Sequence, residues 1–133
     1  MFGYNDVKTL TAVIADPQAD TTYPLWKISD RISKIEILEA WACIDTTITK
    51  GDGTGIALTL LDYGTGGTAN GGTVSSILGG TTVTWTIDIP QDFTISEGTF
   101  TGGHYLTLKY DETGTIAPLN ITVSVNYVQG VGA

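Results

Sequence analysis

The sequence predicts an all-β fold: a jelly-roll β-sandwich of about eight antiparallel strands with an irregular N-terminal arm. Three observations carry that expectation. Runs of alternating apolar and polar residues recur, the longest near the C-terminus, where Ala117, Leu119, Ile121, Val123, Val125 and Tyr127 share one face while Asn120, Thr122, Ser124 and Asn126 share the other. Threonine is abundant, and its branched Cβ suits a pleated surface. Glycine-rich stretches, drawing on 17 Gly in all, punctuate the runs, as turns needing positive φ or close chain approach require.

In chain order, residues 7–14 (VKTLTAVI) are a short apolar and threonine run, closed by the turn-prone DPQAD at residues 16–20. Residues 23–28 (YPLWKI) contain Pro24, which cannot donate to a ladder and confines a strand to a sheet edge or a start. Residues 1–24 are accordingly expected as an arm and residues 25–133 as one sandwich domain. Residues 32–44 admit two readings. Ile28, Ile32, Ile35 and Leu38 would line a helix face, with Ser29 or Asp30 as its cap. Alternatively Ile35 and Ile37, then Leu38, Ala40, Ala42 and Ile44, alternate as a strand with one slip that a β-bulge explains. The β-rich surroundings favour the strand.

Further along, residues 56–63 (IALTLLDY) read as a largely apolar strand and residues 73–78 as a short one between glycine pairs. Val83, Trp85, Ile87 and Ile89 alternate with Thr84, Thr86 and Asp88 up to Pro90, the pattern of a half-buried strand. Phe93 and Ile95 repeat it, and residues 105–110 (YLTLKY) place Leu106, Leu108 and Tyr110 on one face. No internal repeat of fixed period is visible, which disfavours a solenoid or propeller.

A chain of 133 residues is one domain's worth. Its net charge of −8, with Arg31 as the sole arginine, repels phosphate backbones and anionic lipid. Neither nucleic acid nor membrane is therefore expected as a partner. Cys43 is the only cysteine and, within AWACI, reads as a small buried hydrophobe. The first residues, MFGYNDVKTL, have neither a basic nor an apolar leader region, and no apolar stretch approaches about 18 residues. Synthesis in a cytoplasm as a soluble chain is the expectation.

Motifs that could carry chemistry are weak. G-x-G-x-x-A at Gly64, Gly66 and Ala69 follows a strand-like run, but NGGTVSSILGGTTVTW behind it has no helical period. A dinucleotide turn needs that helix, because its N-terminus holds the pyrophosphate; the stretch reads as a loop. TKGDGTG at residues 49–55, with Asp45 and Asp52, lacks the carboxylate spacing of a calcium loop and reads as a connection. His104, the single histidine, follows Gly102-Gly103 and reads as a strand entry. Asp111 and Glu112 are adjacent, so on a strand they point apart, and a hairpin tip explains Asp-Glu-Thr-Gly. Asn120-Ile-Thr122 is a glycosylation sequon only in a secretory pathway. No catalytic residue, metal ligand, cofactor site or cofactor is assigned, and an enzyme is not expected. Trp41 and Trp85 share strand faces with Ile and Val and are expected in the core. Tyr23, Leu25 and Trp26 are the candidate partner contacts, since large aromatics in irregular segments anchor to neighbouring surfaces.

The chain resembles small jelly-roll virion proteins of tailed bacteriophages, the capsid decoration or cement type. The residues carrying the resemblance are TTYPLWK (21–27), AWA (40–42), TGIALTLLDYGTGGT (54–68), TWTIDIP (84–90) and GGHYLTLKYDETGTIAPLNITVSVNYV (102–128). The resemblance implies a non-enzymatic homotrimer, made in the host cytoplasm, that sits on the outer capsid surface at three-fold positions. There it would bridge copies of the major capsid protein and stabilise the head. It implies no particular functional residues. A carbohydrate-binding or receptor-binding fibre domain is the alternative, and would show exposed Trp and Tyr in a row. A small β-sandwich hydrolase would show a cleft with perturbed carboxylates.

Overall fold

The computed structural model describes residues 6–18, 20–49, 55–64, 73–79, 84–95, 98–114 and 119–130, with 73–79 and 130 described by their backbone alone. Among these residues nine strands run in sequence: β1 (Lys8–Ala15), β2 (Thr21–Lys27), β3 (Lys34–Ile44), β4 (Gly55–Asp62), β5 (Thr73–Gly79), β6 (Gln91–Phe93), β7 (Thr99–Thr101), β8 (Tyr105–Thr113) and β9 (Asn120–Gly130). They form two antiparallel sheets, ordered β1-β9-β3-β6 and β2-β8-β4-β5, with β7 also on β3. β6 lies against Ala40, Trp41 and Ala42, and β7 against Lys34, Ile35 and Glu36. The two short strands therefore occupy one strand position in succession, which leaves the eight positions of a jelly roll. First pairs with last, second with second-last, and so inward, as in a long hairpin rolled up on itself.

The apolar faces meet between the sheets. Leu106, Leu108 and Tyr110 of β8 and Ile121, Val123 and Val125 of β9 are all buried, as their alternation requires. The ambiguous segment at 32–44 is a strand with a bulge. Its register against β9 shifts between Ile37 and Glu39, leaving Leu38 as the extra residue. Ile35 and Ile37 point inward before it; Ala40, Ala42 and Ile44 point inward after it. Leu38 itself, expected on the inner face, is 47% exposed because the bulge turns it out. The same geometry puts Trp41 and Cys43, both expected in the core, on the outer face opposite Ser124 and Thr122, where each is half-buried. Pro24 sits in β2, an edge strand, as its missing N–H demands.

Two further expectations need correction. The irregular arm is largely strand: β1 runs unbroken against β9, and β2 already begins at Thr21. An eight-residue apolar and threonine run with a free sheet edge to pair with does not stay irregular. The alternating strand expected from Val83 to Ile89 is a turn. Val83 lies outside the described residues, and only Trp85 makes a bridge, to Ile48. Asp88 then adopts φ 61°, which breaks the pleat, and the Ile89 amide closes onto the Thr86 carbonyl at 3.1 Å. Ile87 and Ile89, expected half-buried in a strand, are 43% and 56% exposed.

Trp85 is nonetheless core, with no exposed surface. Its backbone exchanges two 2.9 Å bonds with Ile48, and its Nε1–H donates to the Ile89 carbonyl at 2.9 Å. One side chain thus fills the interior and ties the turn from beneath. At Gly102, β7 meets the segment entering β3 so closely that a Cβ would lie 1.8 Å from the Ile32 carbonyl oxygen, and only glycine fits. Trp85→Ala should lower stability by about 3–5 kcal/mol through lost burial and a cavity. Trp85→Phe keeps most of the volume and loses the indole bond, so about 1–2 kcal/mol is expected. Denaturant melts of the two variants check the difference.

Candidate functional site

β5 and β6 meet along one flank of the sandwich. The opposite ends of the two sheets, β1 and β2, therefore lie along the other flank, joined through residues 16–20. Among the described residues this flank has no third layer. Leu10 and Ile14 of β1, Tyr23, Leu25 and Trp26 of β2, and Tyr127 of β9 are packed on the core yet only partly buried. The sequence-derived contact residues Tyr23, Leu25 and Trp26 are thus brought together on a strand, β2, not on an irregular arm. Trp26 reaches across the sandwich to Tyr127, with ring centroids 4.6 Å apart and planes tilted by 49°. The Tyr23 hydroxyl accepts a 2.7 Å bond from the Gln18 amide and braces the β1–β2 connection. Leu25 is the extra residue where the β2–β8 register shifts between Pro24 and Trp26.

The outer face of the β1-β9-β3 sheet is a polar ladder. The Thr9 hydroxyl donates to Asn126 Oδ1 at 2.7 Å, and Asn126 Nδ2 donates to Glu39 Oε1 at 2.6 Å, which joins three strands in one row. Thr11 and Ser124 form a weaker row, their hydroxyls 3.4 Å apart. At the sheet's end Asp45 accepts from the backbone N–H and side-chain Nδ2 of Asn120, at 2.7 and 2.8 Å. The backbone bond is the main reason the Asp45 carboxyl is held below its ordinary value. Tyr110, buried and donating to Glu112 Oε1 at 2.7 Å, is pushed the other way, chiefly by burial.

The remaining sequence motifs are dispersed. Gly66, Ala69, Asp52 and most of TKGDGTG lie outside the described residues. The G-x-G-x-x-A stretch nevertheless joins β4 to β5, which are antiparallel neighbours; a dinucleotide turn requires a crossover to a parallel strand. Asp111 and Glu112 lie within β8, not at a hairpin tip, because pairing with β4 continues to Thr113 before Gly114 turns at φ 73°. Asp111 faces Lys109 at 3.7 Å, and Glu112 faces Tyr110, so the two carboxylates do point apart. Sequence reasoning missed one pair: His104 Nδ1 lies 3.0 and 3.2 Å from the two oxygens of Asp62. The register that sets the end of β4 beside the start of β8 makes this pair, and no spacing along the chain signals it. A carboxylate orienting an imidazole is one part of a nucleophilic site, which also needs the nucleophile held at the other ring nitrogen. Among the described residues no group of three or more His, Cys, Asp or Glu side chains could hold a metal ion.

Comparison with known proteins decides the fold. A chain in the capsid of Ralstonia phage GP4 superposes with a TM-score of 0.65 at 18% identity, over 96% of this chain and 86% of that one. The fold is shared with phage capsid proteins. A chain of the cyanophage Pam1 capsid asymmetric unit gives a TM-score of 0.59, again at 18% identity, over 94% of this chain and 86% of that one. A CocE/NonD family hydrolase from Staphylococcus aureus aligns at 8% identity with a TM-score of 0.49 over 33% of its length, too distant to bear on activity. No family model and no curated protein sequence matches the chain.

Two outcomes follow from these contacts. Thr107 is fully buried on β8 between Pro24 and Leu61, and among the described residues its hydroxyl has no hydrogen-bond partner. Thr107→Val keeps the shape and removes the orphaned group, so denaturant melts should show stability unchanged or raised, by up to about 1 kcal/mol. Asp45 has a lowered folded-state pKa, so its stabilisation is full above the ordinary value of 3.8 and is lost as pH falls through the lowered one. Asp45→Asn sets its own Nδ2 against that of Asn120. Thermal melts should show the wild type ahead at neutral pH and the gap closing below 3.8.

Proposed function

We propose that this chain is a non-enzymatic structural protein of a bacteriophage virion, a capsid decoration subunit that binds the outer shell and stabilises the head. The observation that carries the reading is the fold match: nearly the whole chain superposes on nearly the whole of two proteins found in phage capsids. A domain that is merely a common sandwich inside a larger enzyme would match only part of its neighbours' length.

The chemistry is consistent with that role. A cementing subunit needs contact surface and repeated copies, not a catalytic centre. Tyr23, Leu25 and Trp26 give β2 a partly exposed apolar flank suited to a neighbouring coat subunit, the major capsid protein being the partner. A homotrimer on a three-fold position turns weak single contacts into tight attachment, because the second and third engage as intramolecular events. The net charge of −8 favours solubility and limits non-specific aggregation of the free protein.

The test uses light scattering for the oligomer and co-sedimentation with capsids stripped of accessory proteins. The expected result is a trimer that pellets with assembled shells, leaves free coat subunits in the supernatant, and raises the shell's resistance to heat. Trp26→Ala should weaken pelleting by roughly tenfold or more while the protein stays folded. A monomer that ignores capsids and is retained on a polysaccharide column would defeat the reading in favour of glycan binding.

A further inference from the structure

The sheet edges of this protein are not equally protected. β2 carries Pro24 and a bulge at Leu25; β6 and β7 are three residues each; β5 is interrupted where its register against β4 shifts. These are the usual means by which proteins keep an edge from pairing with another chain. β1 has none of them. It is eight residues long, its register against β9 is unbroken, and from Thr9 to Ala15 it carries no charge and no proline. Leu10 and Ile14, though they point to the interior, remain half-buried because nothing among the described residues lies beyond β1.

We propose that β1 pairs with β1 of a second copy of this chain, antiparallel about a two-fold axis at Ala12, joining the two sheets edge to edge.

The register follows from hydrogen-bond parity and from charge. The Asp16 amide donates to the Leu119 carbonyl at 3.0 Å, so Asp16 faces β9. Alternate residues of an antiparallel strand turn both backbone groups to the same neighbour. Ile14, Ala12, Leu10 and Lys8 thus serve β9, while Thr9, Thr11, Val13 and Ala15 present their N–H and C=O groups to the open side. A two-fold pairing must set these outward residues against one another, which requires an axis through a residue and not between two. Centred on Ala12, Thr11 meets Val13 and Thr9 meets Ala15, each pair exchanging both bonds. Leu10 then meets Ile14 on the inner face, which completes their burial, and the small Ala12 side chains meet at the axis. Lys8 meets Asp16. Among the described residues neither has an ion-pair partner within its own chain. An axis at Thr11 would set Lys8 against Ile14, and one at Val13 would set Leu10 against Asp16. Only the Ala12 axis matches charge to charge and apolar to apolar. Val13, 64% exposed on the outer face, gains the Thr11 methyl as a neighbour.

The pairing stands on the geometry of β1; its use on a shell rests on the capsid reading above. Neighbouring three-fold positions of an icosahedral lattice are related by two-fold axes, so this contact would link one trimer to the next. Strand addition over one edge is a weak contact in dilute solution and becomes effective at the high local concentration of a shell.

The test is disulfide trapping in a Cys43→Ser background. Directly opposed Cβ atoms at a pair without hydrogen bonds lie roughly 4.5–5.5 Å apart, close enough for a disulfide after slight adjustment. Ala12→Cys should therefore oxidise to a covalent dimer about tenfold faster or more than Val13→Cys, whose partner in this register is Thr11. Lys8→Asp, which opposes like charges at both ends, should slow Ala12→Cys trapping about tenfold, and Lys8→Asp with Asp16→Lys should restore it. Sedimentation of concentrated protein, wild type against Lys8→Asp, gives the same comparison if the cysteine variant fails to fold. Equal trapping at residues 12 and 13, or indifference to Lys8→Asp, overturns the pairing. Cross-linking of Ala12→Cys to coat protein in place of itself overturns it as well and makes the coat the occupant of the edge. Capsid co-sedimentation separates this from the functional reading: a protein that pellets with shells but does not trap refutes the pairing alone, and one that traps but does not pellet refutes the decoration role alone.

Discussion

The ladder between β3 and β9, with its single bulge at Leu38, is the constraint on which the rest of the fold depends. Side chains alternate across a strand, so a slip of one residue would send half of β3's apolar set to solvent. The bulge absorbs that slip and keeps Ile35 and Ile37 on the same face as Ala40, Ala42 and Ile44. β9 needs no such correction, because its alternation is continuous, and it serves as the straight reference for the strands on either side. On the far side of β3 the bulge marks where the next strand position divides. β7 pairs before it and β6 after it, with Gly98 close against Ile37 between them: the Ile37 amide donates to the Gly98 carbonyl at 2.8 Å.

From that central ladder the rolled hairpin leaves two different flanks. Where β5 and β6 meet, the sheets are brought together by elements of the middle of the chain. Where β1 and β2 run, the sheets end in the first strands of the chain, and the interior side chains are only partly covered. The aromatic pair Trp26 and Tyr127 spans the gap between the sheets at this flank and limits how far it opens. Such incompletely covered margins leave apolar surface within reach of another molecule. The same physics that buries a core residue inside one chain is available to a neighbour wherever burial stops halfway.

The carboxylates of the described residues organise the rims and outer faces of the sheets. Asp45 holds the first residue of β9 by accepting two bonds from Asn120, and Glu39 closes a row of side chains across three strands. In both, a carboxylate organises backbone or amide groups at the rim or outer face of a sheet, where water remains a competitor. The His104–Asp62 pair is likewise half-exposed and joins the entry of β8 to the end of β4.

Much of this architecture was legible in the sequence, for a reason that can be stated. Where a strand is half-buried and continuous, as in β8 and β9, the period of two is written directly in residues 105–110 and 119–127 and fixes both strand and inward face. Pro24 similarly announced an edge, because a missing N–H is a local fact. Local signals failed where a neighbour's demand overrode them. Val83 to Ile89 alternates as a strand should, yet Asp88 turns left-handed because the Ile44 carbonyl and the Thr47 hydroxyl draw in the amides of Asp88 and Ile87. Trp41 and Cys43 face outward because the bulge before them, a feature of pairing with β9, sets the phase of the strand. The first strand looked like an arm because its own few apolar residues could not establish a sheet; β9 supplies the partner. The His104–Asp62 pair and the open flank are products of register and layer order, properties of which strands lie side by side. The chain alone determined the alternating faces of its continuous strands; the tertiary structure decided which strands became sheet edges, because strand order is set by pairing between distant segments.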